Sequence, residues 1–190
     1  MILLAMLALV GAGAGAVPGP LGWFGCPFAN RPAPPPAAPI QAKHPAASAI
    51  GKPPPDMADM LRVHNNDRRV HHAPPLAWNS SVAYVAQAWA NRCQIGHDQR
   101  AIGTWGENIL WGTVPIAQAI YDAPRMWYDE SKTYNYAAPT PNHFTQMVWR
   151  STRALGCGKK ICPHGTAFVV CRYWPPGNVL GQFAKNVLGP

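Results

Sequence analysis

The sequence predicts an α+β domain, and three observations carry that prediction. Two stretches before residue 94 place apolar side chains at helical spacing, two stretches after residue 154 alternate as strands do, and four of the five cysteines fall in the same region. The region begins near Asp56 and runs to Pro190, a length typical of one domain with one core. What precedes it differs in kind. Ile2 to Val10 is almost wholly apolar and leads into small residues ending Ala14-Gly15-Ala16, so residues 1–16 read as a secretory signal peptide, too short in its apolar part to span a bilayer. Twelve of the chain's 22 prolines then crowd into residues 17–55 with alanine between them, which reads as a Pro/Ala-rich extended linker or pro-segment that cannot bury enough apolar surface to fold.

In an exported chain Cys93, Cys157, Cys162 and Cys171 read as two disulfides, with three pairings open on spacing alone, and Cys26 is left over. Asp56 is expected to cap a helix whose inward face is Met57, Met60, Leu61, His64 and Arg68, ended by Pro74-Pro75. Asn79 or Ser80 caps a second helix with Val82, Val85, Ala86, Trp89, Ala90 and Cys93 on one stripe. Asn79-Ser80-Ser81 is also a glycosylation acceptor pattern, so Asn79 has two readings, as cap and as sugar site. A third helix is expected from about Asp122, because Pro124 belongs in a first turn, and it carries Trp127 and Glu130 on one face. The runs 155–159 and 167–173, joined through Pro163-His164-Gly165, read as an antiparallel pair.

The chemistry-bearing residues lie between these elements. His143 sits in the apolar run Phe144-Thr145-Gln146-Met147-Val148-Trp149 and needs polar partners; His64, Glu107 and Glu130 are the candidates. His71, His72, His97 and His164 sit near turns and read as solvated or capping. No serine occupies a nucleophile elbow, so a serine hydrolase is not expected. A net charge of +8 favours adhesion to anionic cell-wall or membrane surfaces, but the basic residues are spread, so no specific nucleic-acid groove is expected.

Four motifs occur in order: His64-Asn65-x-x-Arg68, Gly106-Glu107-Asn108-Ile109, His143-Phe144-Thr145-Gln146-Met147-Val148-Trp149 and Val170-Cys171-Arg172-Tyr173-x-Pro175-x-Gly177-Asn178. On these the domain resembles the CAP superfamily of cysteine-rich secretory, antigen 5 and class 1 pathogenesis-related proteins, and its tail resembles the secreted fungal sterol-binding members. The resemblance implies a three-layer α-β-α sandwich with a central antiparallel sheet, the pairings Cys93 with Cys162 and Cys157 with Cys171, and a cleft lined by His64, Glu107, Glu130 and His143. Such a set can bind a divalent metal, zinc in preference to magnesium or calcium, or simply tie helices to sheet; with an open zinc position it becomes a hydrolase. The resemblance further implies that an aromatic wall of Trp127, Tyr128, Tyr134, Tyr136 and Phe144 holds a sterol or fatty acid, with Trp127 and Phe144 also readable as core. The expected function is a secreted, monomeric, non-enzymatic binder of sterols or small hydrophobic compounds, exporting lipids or detoxifying such compounds. The alternatives are a host-interacting or antimicrobial effector acting on a protein or membrane, and a metal-dependent hydrolase.

Overall fold

The structure, a computed structural model, describes residues 49–190; the expected signal segment, Cys26 and nearly all of the Pro/Ala stretch lie outside them. In chain order the elements are β1 (Ile50–Gly51), α1 (Ala58–Val70), β2 (Ala77–Asn79), α2 (Ser80–Ala90), β3 (Gly106–Gly112), α3 (Ile116–Asp129), α4 (His143–Met147), β4 (Ala154–Ile161), β5 (Ala167–Trp174) and α5 (Phe183–Asn186). The strands make one sheet in the order β1-β2-β4-β5-β3.

The register explains the layers. Successive strand residues point to opposite faces, so β5 sends Val169, Cys171 and Tyr173 into the core cluster built with Met60, Trp127 and Phe144, and Phe168 and Val170 into the cluster with Ala86, Trp89 and Ala90 of α2. Helix α2 therefore covers one face and α1, α3 and α4 the other, which is the expected three-layer arrangement. Gly156 and Gly158 let α2 come so close that an added Cβ would meet its backbone at about the Ala83 amide and the Gln87 Cα, 2.1 and 2.3 Å away. Cys157 stands opposite Cys171 in the β4–β5 ladder and bonds to it, while Cys93 bonds to Cys162.

Several elements depart from the sequence-based expectation. The sheet is mixed: β2 runs parallel to β4, because the chain between them crosses over through α2, β3, α3 and α4 instead of closing a hairpin. It also begins with Ile50–Gly51, inside the stretch read as linker, which pairs with β2. Asp56 forms an ion pair with Lys159, and no side chain caps the start of α1. Helix α3 starts at Ile116, not near Asp122, and runs through Pro124; one missing backbone hydrogen bond is tolerated because Ala119, Ile120, Ala123 and Trp127 bury the helix around it. Asn79 caps α2, accepting from the Ser81 and Val82 amides, and is 3 % exposed.

Candidate functional site

The first motif builds architecture. Asn65 clamps Leu76 by donating to its carbonyl and accepting from its amide, at 3.1 and 2.7 Å. Arg68 is fully buried and donates to the carbonyls of Pro74, Met147, Trp149 and Thr152, tying α1 to the turn after α4. Burial works against its charge and lowers its pKa to about 9. His64, equally buried, donates from Nδ1 to the Met60 carbonyl at 2.8 Å and accepts at Nε2 from the Tyr173 hydroxyl at 2.7 Å. The Tyr173 hydroxyl in turn accepts from Asn108 Nδ2, at 3.1 Å. Desolvation holds the His64 pKa down near 4 and pushes that of Tyr173 well above its ordinary value, so both stay neutral.

The imidazole on Glu107 is His97, at 2.9 Å from Nδ1 to Oε1, and not His64. Glu107 also accepts the Asp98 amide and pairs with Arg172, whose guanidinium bridges to Asp98 at 2.9 Å. Burial raises the Asp98 pKa, but Arg100 and Arg172 outweigh it and the net direction is down. This cluster leaves β3 from the face that Glu107 shares with Arg172. The next residue, Asn108, points to the opposite face and donates to the His143 carbonyl at 3.0 Å.

On that opposite face Glu130 and His143 meet. Glu130 Oε1 takes His143 Nδ1 at 2.6 Å, and Oε2 takes the first amides of α4, those of His143 and Phe144. A carboxylate there satisfies amides that a helix start leaves open. Asn142 completes the turn through a capping box with Thr145. Burial raises the Glu130 pKa, yet these donors prevail and lower it.

The four candidate ligands thus do not converge. His64 is spent inside, Glu107 is joined by His97, and only Glu130 and His143 pair as expected; among the described residues no group of three or more His, Cys, Asp or Glu could hold a metal ion. Zinc asks for three or four protein donors, and each pair supplies two, so a metal site is not established among the described residues. What each pair does offer is an imidazole oriented by a carboxylate through Nδ1, with no hydrogen bond at Nε2 among the described residues, an arrangement suited to accepting a hydrogen bond from a ligand. His97 was legible only as a turn residue: it lies in a loop without periodicity, and the sole hint was that Gly96-His97-Asp98 precedes Trp105-Gly106-Glu107 by one short excursion.

The aromatic candidates split in two. Trp127 and Phe144 are core; the Trp127 ring stacks on His143 and its Nε1 donates to the Ile109 carbonyl, fixing α3 to edge strand β3. Tyr134 packs edge-on against both Tyr136 and Phe144, with centroids 4.8 and 5.3 Å apart, and Tyr128 packs on Phe144 at 5.8 Å. Tyr136 remains 42 % exposed. His71, expected at a turn as solvated or capping, is buried here: it packs edge-on against Phe144, donates to the Leu188 carbonyl and accepts from the Tyr128 hydroxyl. Asp67, one turn earlier, has Oδ2 buried without a partner, and burial raises its pKa to about 6.

Comparison with known proteins agrees with this frame. The family model described as the cysteine-rich secretory protein family, CAP, matches residues 61–173. A probable pathogenesis-related protein of Candida albicans, CaO19.2336, is 40 % identical over 134 residues, covering 67 % of this chain and 64 % of its own length. The secreted protein RBT4 of the same organism is 37 % identical over 147 residues, covering 69 % of this chain and 40 % of its own, so this chain spans less than two thirds of either relative. Among solved structures NaASP2, crystallised with Zn2+, superposes with a TM-score of 0.58 at 23 % identity, covering 76 % of this chain and 89 % of that one, a likeness of fold. With its layers, its disulfides and its motifs all accounted for by one family, the chain belongs to the CAP, or cysteine-rich secretory, proteins.

Proposed function

We propose that the protein works outside the cell as a binder of sterols or related small hydrophobic compounds, holding or exporting them and leaving them chemically unchanged. The observation that carries this reading is the pair Tyr134 and Tyr136. They lie in a loop of Pro, Asn and Ala, packed edge-on against each other, with Tyr134 edge-on against buried Phe144 and Tyr136 still open to solvent. A ring system anchored from behind and exposed in front suits a flat apolar guest, since aromatic faces stack on it at little entropic cost. The extracellular setting is supported by the secreted and pathogenesis-related names of the relatives, neither of which names an enzyme. The described residues contain no helix long and apolar enough to cross a membrane.

Purified protein is expected to bind radiolabelled sterol saturably. The double variant Tyr134→Ala, Tyr136→Ala is expected to lose that binding with its far-UV spectrum and Tm kept, because neither ring is fully buried. Absence of saturable binding by the native chain transfers the weight to the second reading, an effector acting on a host protein or membrane, which the pathogenesis-related relative favours.

A further inference from the structure

We infer that the turn from Asn178 to Gln182, with the basic residues beside it, is a docking surface for an anionic lipid bilayer. Leu180 is 79 % exposed, the most of any large apolar side chain among the described residues, and its neighbour Val179 is 38 % exposed. They are held in place by a built turn. Gln182 donates its amide to the Val179 carbonyl at 3.1 Å, Gly181 takes φ +76° and Asn178 φ +58°, and the Asn178 side chain is fixed between the Asn142 carbonyl and the Thr145 hydroxyl. Leu180, on a fixed projection and largely uncovered, with Val179 partly open beside it, can enter the acyl boundary of a bilayer.

The charge around them has one sign. No Asp or Glu follows Glu130 in the sequence, so the segment that carries the turn supplies only cations, and hydrogen bonds link the backbone beside three of them. Asn186 donates its side chain to the Gln182 carbonyl, and its own carbonyl takes the Arg150 amide at 3.0 Å, so the backbone that carries Lys185 runs beside that of Arg150; the Arg153 guanidinium lies on the Arg150 carbonyl. Arg150, Arg153 and Lys185 make no ion pair among the described residues, whereas Arg62, Arg100, Arg125, Lys132, Lys159 and Arg172 all do. Glu130, the acid joined to the same helix start as Asn178, has both oxygens on His143 and Phe144. Unpaired cations beside an apolar tip match a bilayer of anionic headgroups better than a polyanionic polymer, which has no apolar layer to receive Leu180. The tie from Asn178 to Asn142 also sets this surface next to the end of the tyrosine loop, where a lipid would pass between membrane and protein.

The inference goes beyond the binding reading and stands without it. The test is cosedimentation of the full chain with vesicles of phosphatidylcholine alone and of phosphatidylcholine with phosphatidylserine. Binding is expected to the mixed vesicles only and to weaken with added salt. Replacing Arg150 or Lys185 by Ser is expected to lower the partition coefficient about fivefold each, the worth of one basic residue at an anionic surface. Leu180→Asp should lower it more than tenfold, since it removes one buried apolar side chain and adds one like charge at the surface. These residues are exposed, so an unchanged Tm certifies the fold. The Tyr134→Ala, Tyr136→Ala variant, which probes ligand binding, is expected to sediment as the native chain does. No binding to mixed vesicles overturns the inference. So does binding to the mixed vesicles that Leu180→Asp leaves unchanged, an outcome that takes the Asn178 to Gln182 turn out of the docking surface.

Discussion

His64 and His71 on one side, His97 and His143 on the other, are the same side chain put to two uses. The first two give both ring nitrogens to the protein, Nδ1 to a backbone carbonyl and Nε2 to a tyrosine hydroxyl, and both are buried. The second two give Nδ1 to a glutamate and keep Nε2 for something else, and both are partly exposed. An imidazole inside a core must satisfy each nitrogen locally or lose the burial energy it took part in. Its inwardness therefore marks it as architecture, and the half-exposed histidine with one nitrogen spare is the one able to meet a guest.

That contrast is broken most directly by acid. The unfolded His64 imidazole titrates near 6.5 and the folded one near 4. Between those values the unfolded chain takes up a proton that the folded chain refuses, so the His64 contribution is whole above pH 6.5 and is lost as pH falls toward 4, by roughly 3 kcal/mol. Asp67 acts the other way over much of the same range, since its folded pKa is raised to about 6 from 3.8, and its part exposure makes its effect the smaller one. Urea unfolding at pH 7.5 and pH 5 should show the native chain losing stability on acidification, and Asp67→Asn, which removes the opposing group, losing more. An Asp67→Asn variant equally stable at both values would show that His64 is not the buried neutral group described.

Next in size is the hydroxyl that His64 depends on. Tyr173→Phe leaves His64 Nε2 without its donor and Asn108 with one acceptor fewer, in a site closed to water. The expected cost is about 2 kcal/mol, read as a fall in the urea midpoint with an unchanged slope. A neutral substitution would mean that water reaches Nε2, and the division between the two kinds of histidine would fail.

The same division shows how far the sequence could be read. Helical spacing put His64 and Arg68 on the inward face correctly, and the resemblance supplied the layers and the disulfide pairing. Periodicity, though, reports which way a residue points and not what waits there. In one dimension an inward structural histidine and a metal-ligating one look alike, so His64 reads there as a cleft ligand. His97 was passed over because a loop has no period, and its partnership with Glu107 is made by the fold, through Arg172 of β5 and the turn at Asp98. The start of α3 was missed for a different reason. A rule about isolated helices, proline in the first turn, was overridden by the burial of the surrounding face.

The smallest effects belong to the exposed pairs, and they differ from each other in a way that sharpens the comparison. His97→Gln removes a half-exposed imidazole from Glu107, but Glu107 keeps Arg172 and the Asp98 amide, so a loss below about 0.5 kcal/mol is expected. Glu130→Gln also costs little as an ion pair, yet it withdraws a carboxylate that takes two amides at the start of α4 and the His143 ring, and about 1 kcal/mol should go with it. Because the folded Glu130 pKa lies below its ordinary value of 4.5, that contribution is present above pH 4.5 and disappears as pH falls through the folded value. Thermal melts of the two variants at pH 7 should rank Glu130→Gln below His97→Gln, and both well above Tyr173→Phe. Were His97→Gln the most damaging of the three, the pair with Glu107 would be holding the fold together, and the spare nitrogen on the surface would lose its claim to a functional role.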